Sequence, residues 1–215
     1  MVKSDIYKPN VLNIFCDASI RKRGKLKDGC YGAIAVKQNT IIDEIYRICS
    51  DTTNNNAEIK AVRAAVLLAS KYKNEFPIIN IFSDSQISIL GIRDRFNNWI
   101  CKEDGLLYGY GGEPIKSQEI YIEIYNIIQS NNLTINFWHQ KGHVKNVFSS
   151  LKNAEHVFMA SNGIRQLVDI NLIRFISDFN NIVDQKSRSI LYQTDIYNEY
   201  YFDPIKFYYN GGLVK

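Results

Sequence analysis

The sequence predicts an α/β domain: a mixed five-stranded sheet, three strands antiparallel and two parallel, flanked by helices, with a helical insertion before the last helix. Three observations predict it. Apolar runs at 11–17, 30–37 and 41–50 follow one another with short polar turns between, as in an antiparallel meander. An alanine-rich stretch of helical period, 52–73, then leads to a further apolar run at 78–84, and a strand–helix–strand unit makes a parallel pair with a right-handed crossover. Finally, one word is written nearly twice, NIFCDAS at 13–19 and NIFSDSQ at 80–86, each an apolar run that stops on an aspartate.

The elements follow in order. Pro9 and the basic turn RKRGKLK (21–27) bound the first strand, and QNT separates the second from the third. The Thr/Asn run TTNNN supplies N-cap candidates for the first helix. A short helix is predicted over about 86–96, and a glycine-rich loop over 103–114. Ile120, Ile124, Ile127 and Ile128 mark an amphipathic helix at about 116–130, and LTINFWHQ (133–140) reads as the fifth strand. Helical patches follow at about 149–160 and 164–176, with a last helix over 182–193. Residues 1–193 are expected to form one domain containing the insertion 144–180, and 194–215 an aromatic-rich tail that folds back on it, its protein partner unknown.

With 215 residues, 46% hydrophobic and 22% charged, the composition is that of a soluble globular protein. No apolar run reaches the length of a membrane span, and MVKSDIYKPN has no stretch suited to a signal peptide. Cys16, Cys30, Cys49 and Cys101 have no metal-binding or redox spacing and read as free thiols of a cytoplasmic protein. The formal charge of +4 is local: without the five basic residues of 21–27 the rest would carry −1. That segment reads as a solvated hairpin tip or as a phosphate contact.

Three carboxylates stand out. Glu58, Val62, Ala65 and Ala69 share one helical face, so Glu58 heads a stripe that packs on the sheet. A buried carboxylate there needs a partner, an ion pair or a metal ion. Asp17 and Asp84 end their strands in the same phase. On neighbouring parallel strands both emerge at one sheet end, where ligand sites of α/β sheets gather. Three acidic groups together repel unless cations lie between them, and hard oxygen ligands suit Mg²⁺ or Mn²⁺.

These residues resemble the type 1 ribonuclease H family. DAS (17–19) is similar to the family's D-G-S, TTNNNAE (52–58) to T-N-N-x-x-E, and SDSQ (83–86) to T-D-S-Q. WHQKGH (138–143) is similar to W-x-x-V-K-G-H, and NNIVDQKSRSI (180–190) to the N-x-x-x-D-x-x-A opening of the last helix. The resemblance covers about 11–143 and 180–192.

It implies an RNase H-like fold and an endonuclease that hydrolyses the RNA strand of RNA–DNA hybrids with two Mg²⁺ ions (Mn²⁺ as a substitute), leaving 5′-phosphate and 3′-hydroxyl ends. Asp17, Glu58, Asp84 and Asp184 would bind metal. His143 would move a proton or assist product release, and Ser19, Asn54, Asn55 and Gln86 would contact the hybrid. The partner is the hybrid; no membrane is involved, and the chain is expected to be a monomer. Asn54 and Asn55 also fit helix caps. Asp178 and Asp169 are rivals of Asp184, which lies 41 positions beyond His143. The handle region 97–114 holds only Lys102 against Glu103, Asp104 and Glu113, so the basic stretch 21–27 is a candidate replacement. The alternatives are a catalytically silent hybrid-binding scaffold, or another nuclease of the superfamily.

Overall fold

The computed structural model describes residues 8–193 together with two short strands at 207–209 and 212–214. The predicted meander is β1 (Val11–Arg23), β2 (Leu26–Lys37) and β3 (Thr40–Cys49). The basic stretch is the end of a hairpin, paired along most of its length and turning only at Gly24 and Lys25. Helix α1 (Asn54–Tyr72) starts at Thr53, whose hydroxyl accepts from the Asn56 amide at 3.2 Å; the cap is Thr53 and neither Asn54 nor Asn55. Ala57, Ala61, Val62, Ala65 and Ala69 are fully buried, and these small side chains bring the helix close to the sheet.

β4 (Ile78–Ser83) returns parallel to β1. The helix predicted over 86–96 is divided: α2 (Gln86–Leu90), one π turn (Gly91–Arg95) and one 3-10 turn (Phe96–Asn98). The winding changes at Gly91, where a Cβ would lie 2.7 Å from the Tyr121 ring. A small hairpin, β5 (Ile100–Cys101) with β6 (Leu107–Tyr108), carries the glycine-rich loop before α3 (Gln118–Ser130).

β7 (Ile135–His139) completes the five-stranded order β7-β4-β1-β2-β3, with parallel pairs at β7-β4 and β4-β1. Helices α4 (Phe148–Ser161) and α5 (Ile170–Gln193) follow. From Ile170 onward the patches predicted at 164–176 and 182–193 are one unbroken helix, while 164–169 is not helical. The polar run SDFNN between them breaks nothing, because it contains neither glycine nor proline and buries Ser177, Phe179 and Asn180. β8 (Phe207–Tyr209) pairs antiparallel with β3, and β9 (Gly212–Val214) with β8. The remainder of the aromatic tail lies outside the described residues.

Two apolar layers sandwich the sheet. Leu12, Ile14 and Cys16 of β1 face α1 and α3; Phe15 of β1 and Phe82 of β4 face α4 and α5. The repeated word is repeated in space. Asn13 is opposite Asn80, which is opposite Asn136; Phe15 is opposite Phe82, which is opposite Trp138. Asn80 donates to Asn13 Oδ1 at 3.0 Å and accepts from Asn136 Nδ2 and Trp138 Nε1 at 3.1 Å each. Among the described residues no helix is long and apolar enough to cross a membrane.

Candidate active site

Because β1 and β4 are in register at Phe15 and Phe82, the aspartates two residues further on leave the sheet at the same end. Glu58, one turn into α1, meets them there. One carboxylate oxygen from each of Asp17, Glu58 and Asp84 lies within 4.8 Å of the other two. They line a cavity of about 300 Å³ with Ala18, Ser19, Ile20, Asn54, His143, Asp184, Arg188 and Tyr192.

Buried acidic groups dominate the electrostatics of the site. Burial pushes the Asp17 carboxyl well above the usual range, and Asp84 adds to it; the Ala18 amide, 2.7 Å from Oδ1, works the other way. Glu58 is raised by burial and then by Asp17, Asp84 and Asp184. Asp84 is raised by burial and Asp184, while His143 and the Asn180 amide draw it down. Glu58 Oε2 is buried and has no hydrogen-bond partner among the described residues. Three hard oxygen donors, one of them orphaned, fit a divalent cation.

Asp184 reaches the cavity from the middle of α5. Ser19 Oγ donates to its Oδ1 at 3.2 Å, and Arg188 Nη2 lies 3.1 Å from each of its oxygens. His143 Nδ1 is 3.6 Å from Oδ2, with its ring 73% exposed at the cavity mouth. The rivals of Asp184 are elsewhere: Asp178 is exposed on α5, and Asp169 accepts from the Asn171 amide at the start of that helix. Of the residues expected to touch substrate, Ser19 and Asn54 line the carboxylate cavity. Asn55 lines a neighbouring one of about 850 Å³, beside Trp99, Tyr121 and the handle loop. Gln86 is exposed at the start of α2 and lines neither cavity.

The sequence reading missed several neighbours. Asn180, Arg188 and Tyr192 share the every-fourth-residue spacing of the predicted Asp184, that of one helical face, and that is the signal that finds them. Gly142 is required because a Cβ there would collide with Asp84 Oδ2. His139 places Nε2 3.2 Å from the Asp84 carbonyl, and the Gln140 amide donates to the Ser83 carbonyl at 3.0 Å, fixing the backbone that carries Asp84.

With this constellation in place, similarity to known proteins decides the family. The RNase H family model matches residues 9–164. The chain belongs to the ribonuclease H family. A ribonuclease H of Rickettsia akari (strain Hartford) is 31% identical over 122 residues, 55% of this chain and 71% of that one. A ribonuclease HI of Rickettsia conorii is 30% identical over the same shares. The solution structure of the PFV RNase H domain has a TM-score of 0.51 at 18% identity, covering 74% of this chain and 96% of that domain. A foamy viral protease-reverse transcriptase in complex with RNA/DNA hybrid also has a TM-score of 0.51 at 18% identity, covering 73% of this chain and 20% of that one. The family match in this RNase H ends before α5, so Asp184 joins the other three carboxylates through the tertiary structure.

Proposed function

We propose that this RNase H hydrolyses the RNA strand of RNA–DNA hybrids, with Asp17, Glu58, Asp84 and Asp184 as metal ligands. The observation that carries the reading is the convergence of three carboxylates within 4.8 Å around the unpartnered Glu58 Oε2. The chemistry supplied by two bound Mg²⁺ ions, or Mn²⁺, is activation of water and stabilisation of the attacking and leaving oxygens, giving 5′-phosphate and 3′-hydroxyl ends.

The chain's own residues do the rest. Ser19 and Arg188 hold Asp184 in one orientation, and Gly142 and His139 do the same for Asp84. His143, exposed beside Asp184, is placed to pass a proton between the site and solvent. Asn54 and Asn55 present amides to two adjacent cavities, an arrangement that suits a two-stranded substrate. Residues up to 193 act as one catalytic unit, because the inserted α4 and the first half of α5 share a core with Phe15 and Phe82.

The test is cleavage of a hybrid labelled on its RNA strand, with Mg²⁺ and with EDTA. The wild-type chain should cut the RNA strand only with metal, and Asp84→Asn should lower the rate by roughly 10²-fold or more. A wild-type chain that binds hybrid and never cuts it would be a scaffold instead.

A further inference from the structure

The β1–β2 ribbon continues past the site. β1 runs six residues beyond Asp17 before the turn, and at about 3.3 Å per residue this projects roughly 20 Å of paired strand beyond the carboxylates. The projecting part is the basic stretch RKRGKLK. Its ladder sets Lys22 directly opposite Lys27. Like charges opposed across an antiparallel pair destabilise it, so folding alone gives no reason for this pair. Lys22, Lys25 and Lys27 are exposed, and none forms an ion pair among the described residues.

The base of the ribbon opens onto the carboxylate cavity. Ser19 and Ile20 line it, and the Arg21 guanidinium lies 5.4 Å over the ring of Tyr192, which lines it too. The handle region offers no comparable charge. Its one lysine, Lys102, sits 3.8 Å over the Tyr108 ring and is outnumbered by Glu103, Asp104 and Glu113.

We propose that the β1–β2 ribbon is a phosphate-binding arm, in which Lys22, Lys25 and Lys27 grip the sugar–phosphate backbone of the nucleic-acid substrate outside the catalytic cavity. The proposal rests on the hybrid reading. It explains the opposed lysines, since a polyanion between them removes their repulsion, and each phosphate they neutralise releases a counterion.

The experiment measures binding apart from cleavage. Anisotropy of a labelled RNA–DNA hybrid is titrated with the full chain in an Asp84→Asn background, with Mg²⁺, at several salt concentrations. The triple substitution Lys22→Gln, Lys25→Gln, Lys27→Gln should flatten the slope of log K against log salt by about 2.1 to 2.7, at roughly 0.7 to 0.9 per contact. Lys25→Gln at the turn tip should alone remove about 0.7 to 0.9 of it, and decides the matter should the triple variant not fold. Lys73→Gln, at the far end of α1, should leave the slope unchanged. An unchanged slope in the arm variants, or an equal fall with Lys73→Gln, overturns the proposal. A wild-type chain that binds with an arm-dependent slope and never cuts keeps the arm and sinks the nuclease reading; no hybrid binding at any salt sinks both.

Discussion

Gly142 lies against Asp84 so closely that a methyl group on its Cα would overlap the Asp84 Oδ2. The loop after β7 therefore sets the position of a carboxylate that belongs to β4. Gly142→Ala should displace Asp84 by a large part of an ångström. A misplacement of that size costs about 10²-fold in kcat. Hybrid cleavage by a variant that melts near the wild-type temperature checks this, and unchanged kcat would show that Asp84 needs no such placement.

Arg188 holds both oxygens of Asp184, so a cation approaching that carboxylate meets a positive charge first. Arg188→Ala should lower the Mg²⁺ concentration for half-maximal cleavage by about two- to fivefold, the scale of a half-exposed ion pair. A metal titration of cleavage rate reads it. An increase in the half-maximal concentration would mean that losing the fixed orientation of Asp184 outweighs the removal of the charge.

Asp17, Glu58 and Asp84 are all raised above their ordinary values, chiefly by burial. The folded state then holds more protons than the unfolded state between the ordinary carboxylate range and the raised values. Stability of the metal-free protein from this site is full at low pH and falls as pH rises through that window. Asp84→Asn should thus melt higher than wild type in EDTA at pH 7.5, the gap should narrow toward pH 5, and Mg²⁺ should stabilise wild type more than the variant. Thermal melts at both pH values measure it. A variant less stable than wild type in EDTA would refute the cost of charging this buried site.

Asn80 joins three parallel strands through its side chain. Asn80→Ala removes three side-chain hydrogen bonds from the ladder. At about 0.5–1.5 kcal/mol net each, the loss should be roughly 3 kcal/mol, read by denaturant unfolding. A loss under about 0.5 kcal/mol would mean that the ladder adds little to register.

The sequence by itself determined the elements and most of the acidic constellation. Strand runs, the alanine stripe of α1 and the aspartate that ends each parallel strand are local patterns, set by backbone preference and by which side chains must leave water. NIFCDAS and NIFSDSQ therefore disclosed Asp17 and Asp84 before any contact was known. The third copy of that pattern, Asn136 with Trp138, took its meaning only from register, which depends on how three strands pack together between two layers.

Tertiary structure alone decided three matters. It brought Asp184 to the cavity beside Arg188 and Tyr192 and left its rival Asp178 exposed, because α5 continues unbroken. It divided the helix predicted over 86–96, because α2 gives way to a π turn where Tyr121 fills the space beside Gly91. It also set Lys22 opposite Lys27, a pairing that follows from hairpin register and not from composition. The physical reason is common to all three: a residue's neighbours in the chain fix its torsions, but the side chains it meets are fixed by elements that arrive from tens of positions away.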